Sequence, residues 1–74
     1  MAKTLSGKAV VKILVKHFGF RVVSQKGSHI KLQKNLGTVT VGTIVPNHKE
    51  LASGTLKGAL KLAKVDKHAF WKHV

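Results

Sequence analysis

The chain has 74 residues and carries 14 lysine and arginine residues against two acidic ones, a formal charge of +12. We expect one domain over residues 1–74, with a small core, since a chain this short buries roughly 60% of its unfolded surface. The absence of cysteine excludes disulfides and thiolate metal sites. Lysines interrupt every apolar run well before the ~20 residues that a transmembrane helix needs, and the first residues lack the apolar stretch of a signal peptide. We therefore expect a cytoplasmic protein with no membrane partner.

The first predicted element is an amphipathic helix that begins after Ser6 and ends at Gly19. Serine is a good N-cap, and glycine is the residue that most often follows the last helical turn. Helical spacing predicts a buried face that comprises Val10, Val11, Leu14, Val15 and Phe18. A second face has lysines at every fourth position, namely Lys8, Lys12 and Lys16.

Three strands are predicted at residues 20–25, 28–34 and 38–41. Turns at Lys26-Gly27 and at Asn35-Leu36-Gly37 connect them, and glycine supplies the positive φ of a short hairpin loop. We expect an antiparallel meander with one buried and one solvent-exposed face. Residues 42–51 are expected to leave the sheet, because the proline at position 46 cannot donate to a strand ladder. The side chains predicted to face the core are Phe20, Val22, Ile30, Leu32, Val39 and Val41.

A second helix is predicted after the sheet, with Ser53 as its N-cap. Gly58 lies in its interior, where glycine costs about 1 kcal/mol relative to alanine, and would suit a close approach of the helix to the sheet. The predicted buried face comprises Leu56, Leu60 and Ala63, and the exposed one Lys57, Lys61 and Lys64.

Asp66 can cap a short last helix in which Ala69, Phe70 and Val74 share a face. The predicted fold class is therefore α+β, with the order α-β-β-β-α and a short C-terminal helix. The three-stranded antiparallel sheet would carry its helices on one face. A basic fold of this order resembles the double-stranded-RNA-binding domain (dsRBD), which recognises the shape of A-form RNA through phosphate and 2′-OH contacts.

His29 stands at the first outward-facing position of the second strand, directly after Gly27-Ser28. Because strand side chains alternate between faces, His29 shares the open face with Arg21, Lys31, Gln33 and Thr40. The commoner interpretation of such a histidine is a polar residue on a solvated strand. It could instead act as a general base, since histidine exchanges protons near neutral pH.

Lys26, Lys31 and the backbone N–H groups near Gly27 and Ser28 could hold a phosphate beside this base. A base, a cation and amide donors together are what attack by an RNA 2′-hydroxyl requires. The expected products carry a 2′,3′-cyclic phosphate or 3′-phosphate and a 5′-hydroxyl.

The other histidines carry weaker signals. His48 follows a proline in a loop and could join His29 in an acid–base pair only if that loop folds over the sheet. No two histidines have helical i, i+4 spacing with a carboxylate nearby, and Glu50 and Asp66 are too few for an oxygen-ligated metal. We expect no metal and no cofactor. Ordinary surface positions near helix ends are expected for His17, His68 and His73.

The lysine stripes on both helices are almost uncompensated by acids, which indicates a polyanionic partner. The strands expose no aromatic residue, which argues against a platform that stacks single-stranded bases. One alternative is a non-catalytic RNA-binding module with salt-sensitive affinity. Another is a protein that binds membrane surfaces through its lysines, which the burial of the apolar helix faces on the sheet disfavours.

About residues 6–65 contain, in this order, the segments Ser6-Gly7-Lys8, Gly19-Phe20, Gln25-Lys26-Gly27-Ser28-His29, Val45-Pro46-Asn47-His48-Lys49-Glu50-Leu51 and Gly54-Thr55-Leu56-Lys57. In these segments the chain resembles the HicA toxin family, the small mRNA interferases of HicA–HicB toxin–antitoxin pairs, and this resemblance covers most of the chain. It implies a dsRBD-like fold, a type II toxin that cleaves mRNA as a metal-independent endoribonuclease, and a HicB-type antitoxin that covers the active face. It also implies that His29 is the catalytic histidine. The residues expected to contact single-stranded RNA are Lys26, Gly27, Ser28 and Lys31.

Overall fold

The computed structural model describes residues 4–74. Its elements are α1 (Gly7–Phe18), β1 (Arg21–Lys26), β2 (His29–Asn35), β3 (Thr40–Pro46), α2 (Ser53–Ala63) and α3 (Lys67–Trp71). The strands form one antiparallel sheet in the order β1-β2-β3. This confirms the α+β class and the α-β-β-β-α order, including the short third helix. Within the described residues, no helix is long and apolar enough to cross a bilayer.

α1 begins and ends at the residues that the sequence predicts. The Ser6 side-chain oxygen accepts a hydrogen bond from the Ala9 backbone N–H at 3.0 Å. At the other end, Gly19 has a φ of 75°, in the left-handed region that favours glycine. Both caps satisfy backbone groups that a helix terminus otherwise leaves without partners.

The buried face of α1 is rotated relative to the prediction. Val10, Ile13 and Leu14 are buried, whereas Val15 is 42% exposed. The prediction was therefore wrong at Val15 and missed Ile13, because the face follows i, i+3, i+4 spacing. The predicted lysine stripe is exposed at Lys8, Lys12 and Lys16.

β3 is longer than predicted, and the chain does not leave the sheet after Val41. The strand pairs with β2 along its whole length, ending with His29 opposite Pro46. Proline is tolerated there because it is the last residue of an edge strand. Val39 precedes the strand and is exposed, so its predicted inward position was wrong.

Thr43 explains why β3 continues through a segment that reads as a loop. Its side chain is buried, and its hydroxyl donates a hydrogen bond of 2.7 Å to the Ala59 carbonyl oxygen of α2. A buried hydroxyl with a partner avoids the cost of desolvation without a hydrogen bond. This bond joins the sheet to α2.

The edge strand β1 is exposed over all six of its residues. Val22 was predicted to face the core but is 49% exposed. The register shifts between Val22 and Ser24, as a β-bulge does. The hydrophobic core contains residues of β2 and β3 but none of β1, so the helices leave this edge uncovered.

α2 has the predicted buried residues but different local features. Its N-cap is Ala52, without a side-chain cap, and Ser53 is the first helical residue, so the predicted cap was wrong. Gly58 is exposed, and a Cβ atom there would meet nothing within 4 Å, so no close approach to the sheet requires it. α3 is capped as predicted, since the Asp66 carboxylate accepts a hydrogen bond from the Ala69 N–H at 3.0 Å.

A close backbone approach occurs instead at the start of α1. The Gly7 N–H donates a hydrogen bond of 2.8 Å to the His48 carbonyl oxygen. A Cβ atom on Gly7 would overlap the Pro46 carbonyl oxygen and lie 3.0 Å from the Asn47 Cα. Only glycine fits here, so this contact fixes the start of α1 against the end of β3.

We predict opposite effects for two Gly→Ala substitutions in helices. Gly7→Ala should lower the free energy of unfolding by about 1–3 kcal/mol, the usual cost of overpacking a tight contact. Gly58→Ala should raise it by up to about 1 kcal/mol, because the site is open and alanine favours the helix. Urea denaturation of both variants measures these changes. Equal tolerance of both substitutions would contradict the close approach at Gly7.

Candidate functional site

His29 is the first residue of β2 and lies on the open face of the sheet. It is exposed, whereas Ile30 and Leu32 are buried on the other face, as the strand alternation predicts. Lys26 of β1 lies directly opposite His29 on one side, and Pro46 of β3 lies opposite on the other. His29 is therefore reachable from solvent and stands beside a cation.

The open face around His29 carries further polar and cationic side chains. Lys31 follows on the same face of β2, opposite Ser24 and Ile44. Further along, Gln33 lies opposite Arg21. Because residues opposite each other in a sheet share a face, these side chains form one surface. We call it the open face, and with Asn35 and the opposite Thr40 it comprises Arg21, Ser24, Lys26, His29, Lys31, Gln33, Asn35, Thr40 and Ile44.

Neither of the two acidic residues belongs to a strand. Glu50 accepts a hydrogen bond of 3.3 Å from the Thr4 hydroxyl, and Asp66 caps α3. The open face therefore has cations without carboxylates, which attracts polyanions. Among the described residues, no three histidine, cysteine, aspartate or glutamate side chains are grouped so that they could hold a metal ion.

The turn before His29 consists of Gly27 and Ser28. Gly27 has a φ of 60°, a left-handed value that favours glycine. Its carbonyl oxygen accepts a hydrogen bond of 3.1 Å from the Gln25 side-chain amide. Within residues 4–74, the N–H groups of Gly27 and Ser28 donate no hydrogen bond to the protein. Both can therefore donate to an anionic oxygen.

The loop after β3 reaches the same end of the sheet. The Asn47 N–H donates a hydrogen bond to the Ser28 carbonyl oxygen, and the His48 carbonyl oxygen accepts one from Gly7. The start of α1, the turn before His29 and this loop therefore meet at one corner of the protein.

Sequence reasoning did not anticipate this corner. It left the position of His48 open and assigned no role to Asn47 or Gly7. Local sequence signals do not reveal the corner, because it depends on the extension of β3 to Pro46, which places the next residues beside Ser28.

Two of the other histidines lie at the opposite end of the sheet. α1 ends beside the start of β1, whereas His29 pairs with the last residue of β1. The imidazole rings of His17 and His73 are stacked there, with centroids 3.8 Å apart. Desolvation, together with the charges of His73 and Lys16, lowers the pKa of His17. This pair connects α1 to the end of the chain and does not contribute to the corner at His29.

The model of one protein family, described as HicA toxin of bacterial toxin-antitoxin, matches residues 7–65. This chain belongs to the HicA toxin family. It is therefore a toxin of a toxin–antitoxin system, and HicA toxins pair with HicB antitoxins. The matched region contains α1, the sheet and α2, and it ends before α3. None of the curated proteins and none of the solved structures matches the chain.

We predict that His29→Ala leaves the fold intact. The free energy of unfolding should change by no more than about 0.5 kcal/mol, as for exposed residues outside the core. The matched control is Ile30→Ala, one position along the strand, which should cost about 2–5 kcal/mol because Ile30 is buried. Thermal or urea denaturation distinguishes the two variants. A large loss of stability in His29→Ala would mean that the faces of β2 are inverted.

Proposed function

We propose that this HicA toxin is a metal-independent endoribonuclease that cleaves single-stranded mRNA, with His29 as the general base. The observation that carries the proposal is an exposed histidine directly opposite Lys26, on a sheet face without carboxylates. Membership of the HicA toxin family supports it, because HicA toxins are known as mRNA interferases.

In the proposed reaction, an imidazole nitrogen of His29 accepts the proton of a ribose 2′-hydroxyl. The 2′-oxygen then attacks the adjacent phosphorus atom, and the bond from phosphorus to the 5′-oxygen breaks. The leaving 5′-oxygen takes a proton from water, and the resulting hydroxide takes the proton that His29 accepted. The products are a 2′,3′-cyclic phosphate, which water can open to a 3′-phosphate, and a 5′-hydroxyl. The RNA supplies its own nucleophile, so a metal-bound hydroxide is not required.

Lys26 and Lys31 are proposed to hold the scissile phosphate. Side chains directly opposite each other in an antiparallel pair have Cβ atoms roughly 4.5–5.5 Å apart, so the Lys26 ammonium can reach a phosphate whose ribose contacts His29. The N–H groups of Gly27 and Ser28 would donate to its non-bridging oxygens. Fixed donors of this kind stabilise the charge that develops on those oxygens in the transition state.

The same surface also supports a second candidate, a module that binds RNA without cleaving it. None of the three strands carries a phenylalanine, tyrosine or tryptophan. Binding would therefore depend on phosphate contacts rather than base stacking, and its affinity would fall steeply with salt. If this candidate is correct, RNA should remain intact after prolonged incubation with the protein.

We further propose that the toxin acts in the cytoplasm, where mRNA is found, and that a HicB-type antitoxin covers the open face. The cations around His29 would bind either the RNA or the antitoxin. Occupation by the antitoxin would thus keep RNA from His29.

Cleavage of single-stranded mRNA in buffer with EDTA tests the catalytic proposal. Wild-type protein should cleave, and His29→Ala should cleave at least about 100-fold more slowly, the usual contribution of a general base. Lys26→Ala should lower the rate by about tenfold, because it removes one charged contact to the phosphate. Gel analysis of end-labelled RNA measures the rates.

The matched control is His68→Ala, which removes an exposed histidine on α3 and should leave the rate unchanged. The cleavage rate of His48→Ala determines whether the loop histidine at the corner takes part in the reaction. Cleavage that requires a divalent metal, or undiminished cleavage by His29→Ala, would refute the mechanism. Salt-sensitive RNA binding with no cleavage by any variant would favour the second candidate.

A further inference from the structure

An apolar groove of about 720 Å³ lies on the helical side of the protein. It is formed by α2, α3 and the segments that precede α1 and α2, and no strand residue lines it. Leu5, Val65 and Trp71 are only partly buried there, so part of their apolar surface remains in contact with solvent. The apolar lining comprises Leu5, Leu51, Leu56, Leu60, Val65 and Trp71.

Lysines provide the charge around this groove. Lys57, Lys61 and Lys67 line it, and among the described residues no carboxylate does. Lys57 and Lys61 are four residues apart on α2, a separation of about 6 Å along a helix. The Glu50 carboxylate accepts a hydrogen bond from the lining residue Thr4 and adds one negative charge nearby, which the three lysines outnumber.

We propose that this groove is a docking site for an acidic amphipathic helix of a partner protein. Its apolar side chains would enter the groove, and their burial there would remove apolar surface of both partners from water. Its carboxylates, at i, i+4 spacing, would meet Lys57 and Lys61. This surface lies on the helical side, away from the open face, and the proposal does not depend on RNA cleavage.

Charge and polarity favour an acidic amphipathic helix as the occupant of the groove over a nucleic acid, a second copy of this chain or the chain's own first residues. A nucleic acid would satisfy the lysines but would leave the apolar lining without complementary surface. A second copy of this chain would bring lysines against lysines, and like charges across an interface are unfavourable. Residues 1–3 include Lys3 and no carboxylate, so the chain's own first residues lack complementary charge.

Trp71 makes the proposal testable, because it is the one tryptophan of the chain and it lines the groove. The probe is a synthetic helical peptide of about 16 residues, with leucines on one face, glutamates elsewhere and no aromatic residue. Titration into the full-length protein should give a saturable change in tryptophan fluorescence. A peptide with lysine in place of glutamate, and one with alanine in place of leucine, should not bind.

The variant Lys57→Glu with Lys61→Glu should weaken binding at least about tenfold, because it opposes like charges. The matched control is Lys12→Glu with Lys16→Glu, which makes the same charge change on α1 outside the groove. It should change the Kd by no more than about threefold. Circular dichroism establishes that both variants fold.

Equal weakening by the two variants, or equal binding of the alanine peptide, would overturn the proposal by showing that net charge alone drives binding. Absence of binding would also overturn it. Binding only after deletion of residues 1–3 would overturn it by showing that the chain's own first residues occupy the groove. A fluorescence change on dilution of the protein alone would indicate a second copy of the chain as the occupant, and displacement of the peptide by an RNA oligonucleotide would indicate a nucleic acid.

RNA cleavage by the groove variants separates this proposal from the catalytic one. Lys57→Glu with Lys61→Glu should cleave RNA as fast as Lys12→Glu with Lys16→Glu, since the two variants change the net charge equally and none of the four lysines belongs to the open face. Failure of peptide binding with intact cleavage would overturn the groove alone. Peptide binding without cleavage by the wild-type protein would overturn the catalytic proposal alone.

Discussion

Burial of Ile30 and Leu32 is the interaction on which the position of the site depends. The two side chains enter the core from β2, and each contributes about 1.5–3 kcal/mol through burial. Because strand side chains alternate, their burial directs His29 and Lys31 to the open face. A register shift of one residue would bury the histidine and the lysine and expose the two apolar residues. The core therefore selects one register, and that register places a histidine beside a cation in solvent.

A second constraint holds the end of β2 in place. Gly7 fits against the Pro46 carbonyl, and the segment after Pro46 hydrogen-bonds to the turn before His29. The first helix, the first turn and the loop after β3 thus support one another at that corner. Three of the segments that resemble the HicA family, those around Gly7, Gly27-Ser28 and Pro46-Asn47, meet at this corner.

Much of this fold could be predicted from local sequence features. Ser6 and Gly19 marked the ends of α1, and alternation along β2 gave the correct faces, because both signals come from neighbours in the chain. The length of β3 could not be predicted in this way. Its central residue Thr43 looks polar in sequence but is buried through a hydrogen bond to α2. Similarly, the exposure of Val22 depends on how far the helices extend over the sheet.

Part of the candidate site could also be predicted from local sequence features. His29, Lys26 and Lys31 are close together in sequence, so their common face followed from strand geometry alone. The proximity of Asn47 to Ser28 required the full pairing of β2 with β3. The groove beside Trp71 required the packing of α2 and α3 with the segment before α1. Such features depend on long-range contacts, which periodicity and capping rules do not describe.

The central claim is that the RNA's own 2′-hydroxyl is the nucleophile and that His29 accepts its proton. Mass spectrometry of RNA fragments produced in EDTA tests this claim most directly. The account predicts fragments that end in a 2′,3′-cyclic phosphate or 3′-phosphate, each followed by a fragment with a 5′-hydroxyl. Fragments with a 3′-hydroxyl and a 5′-phosphate would contradict it, because they would show that water attacked the phosphate.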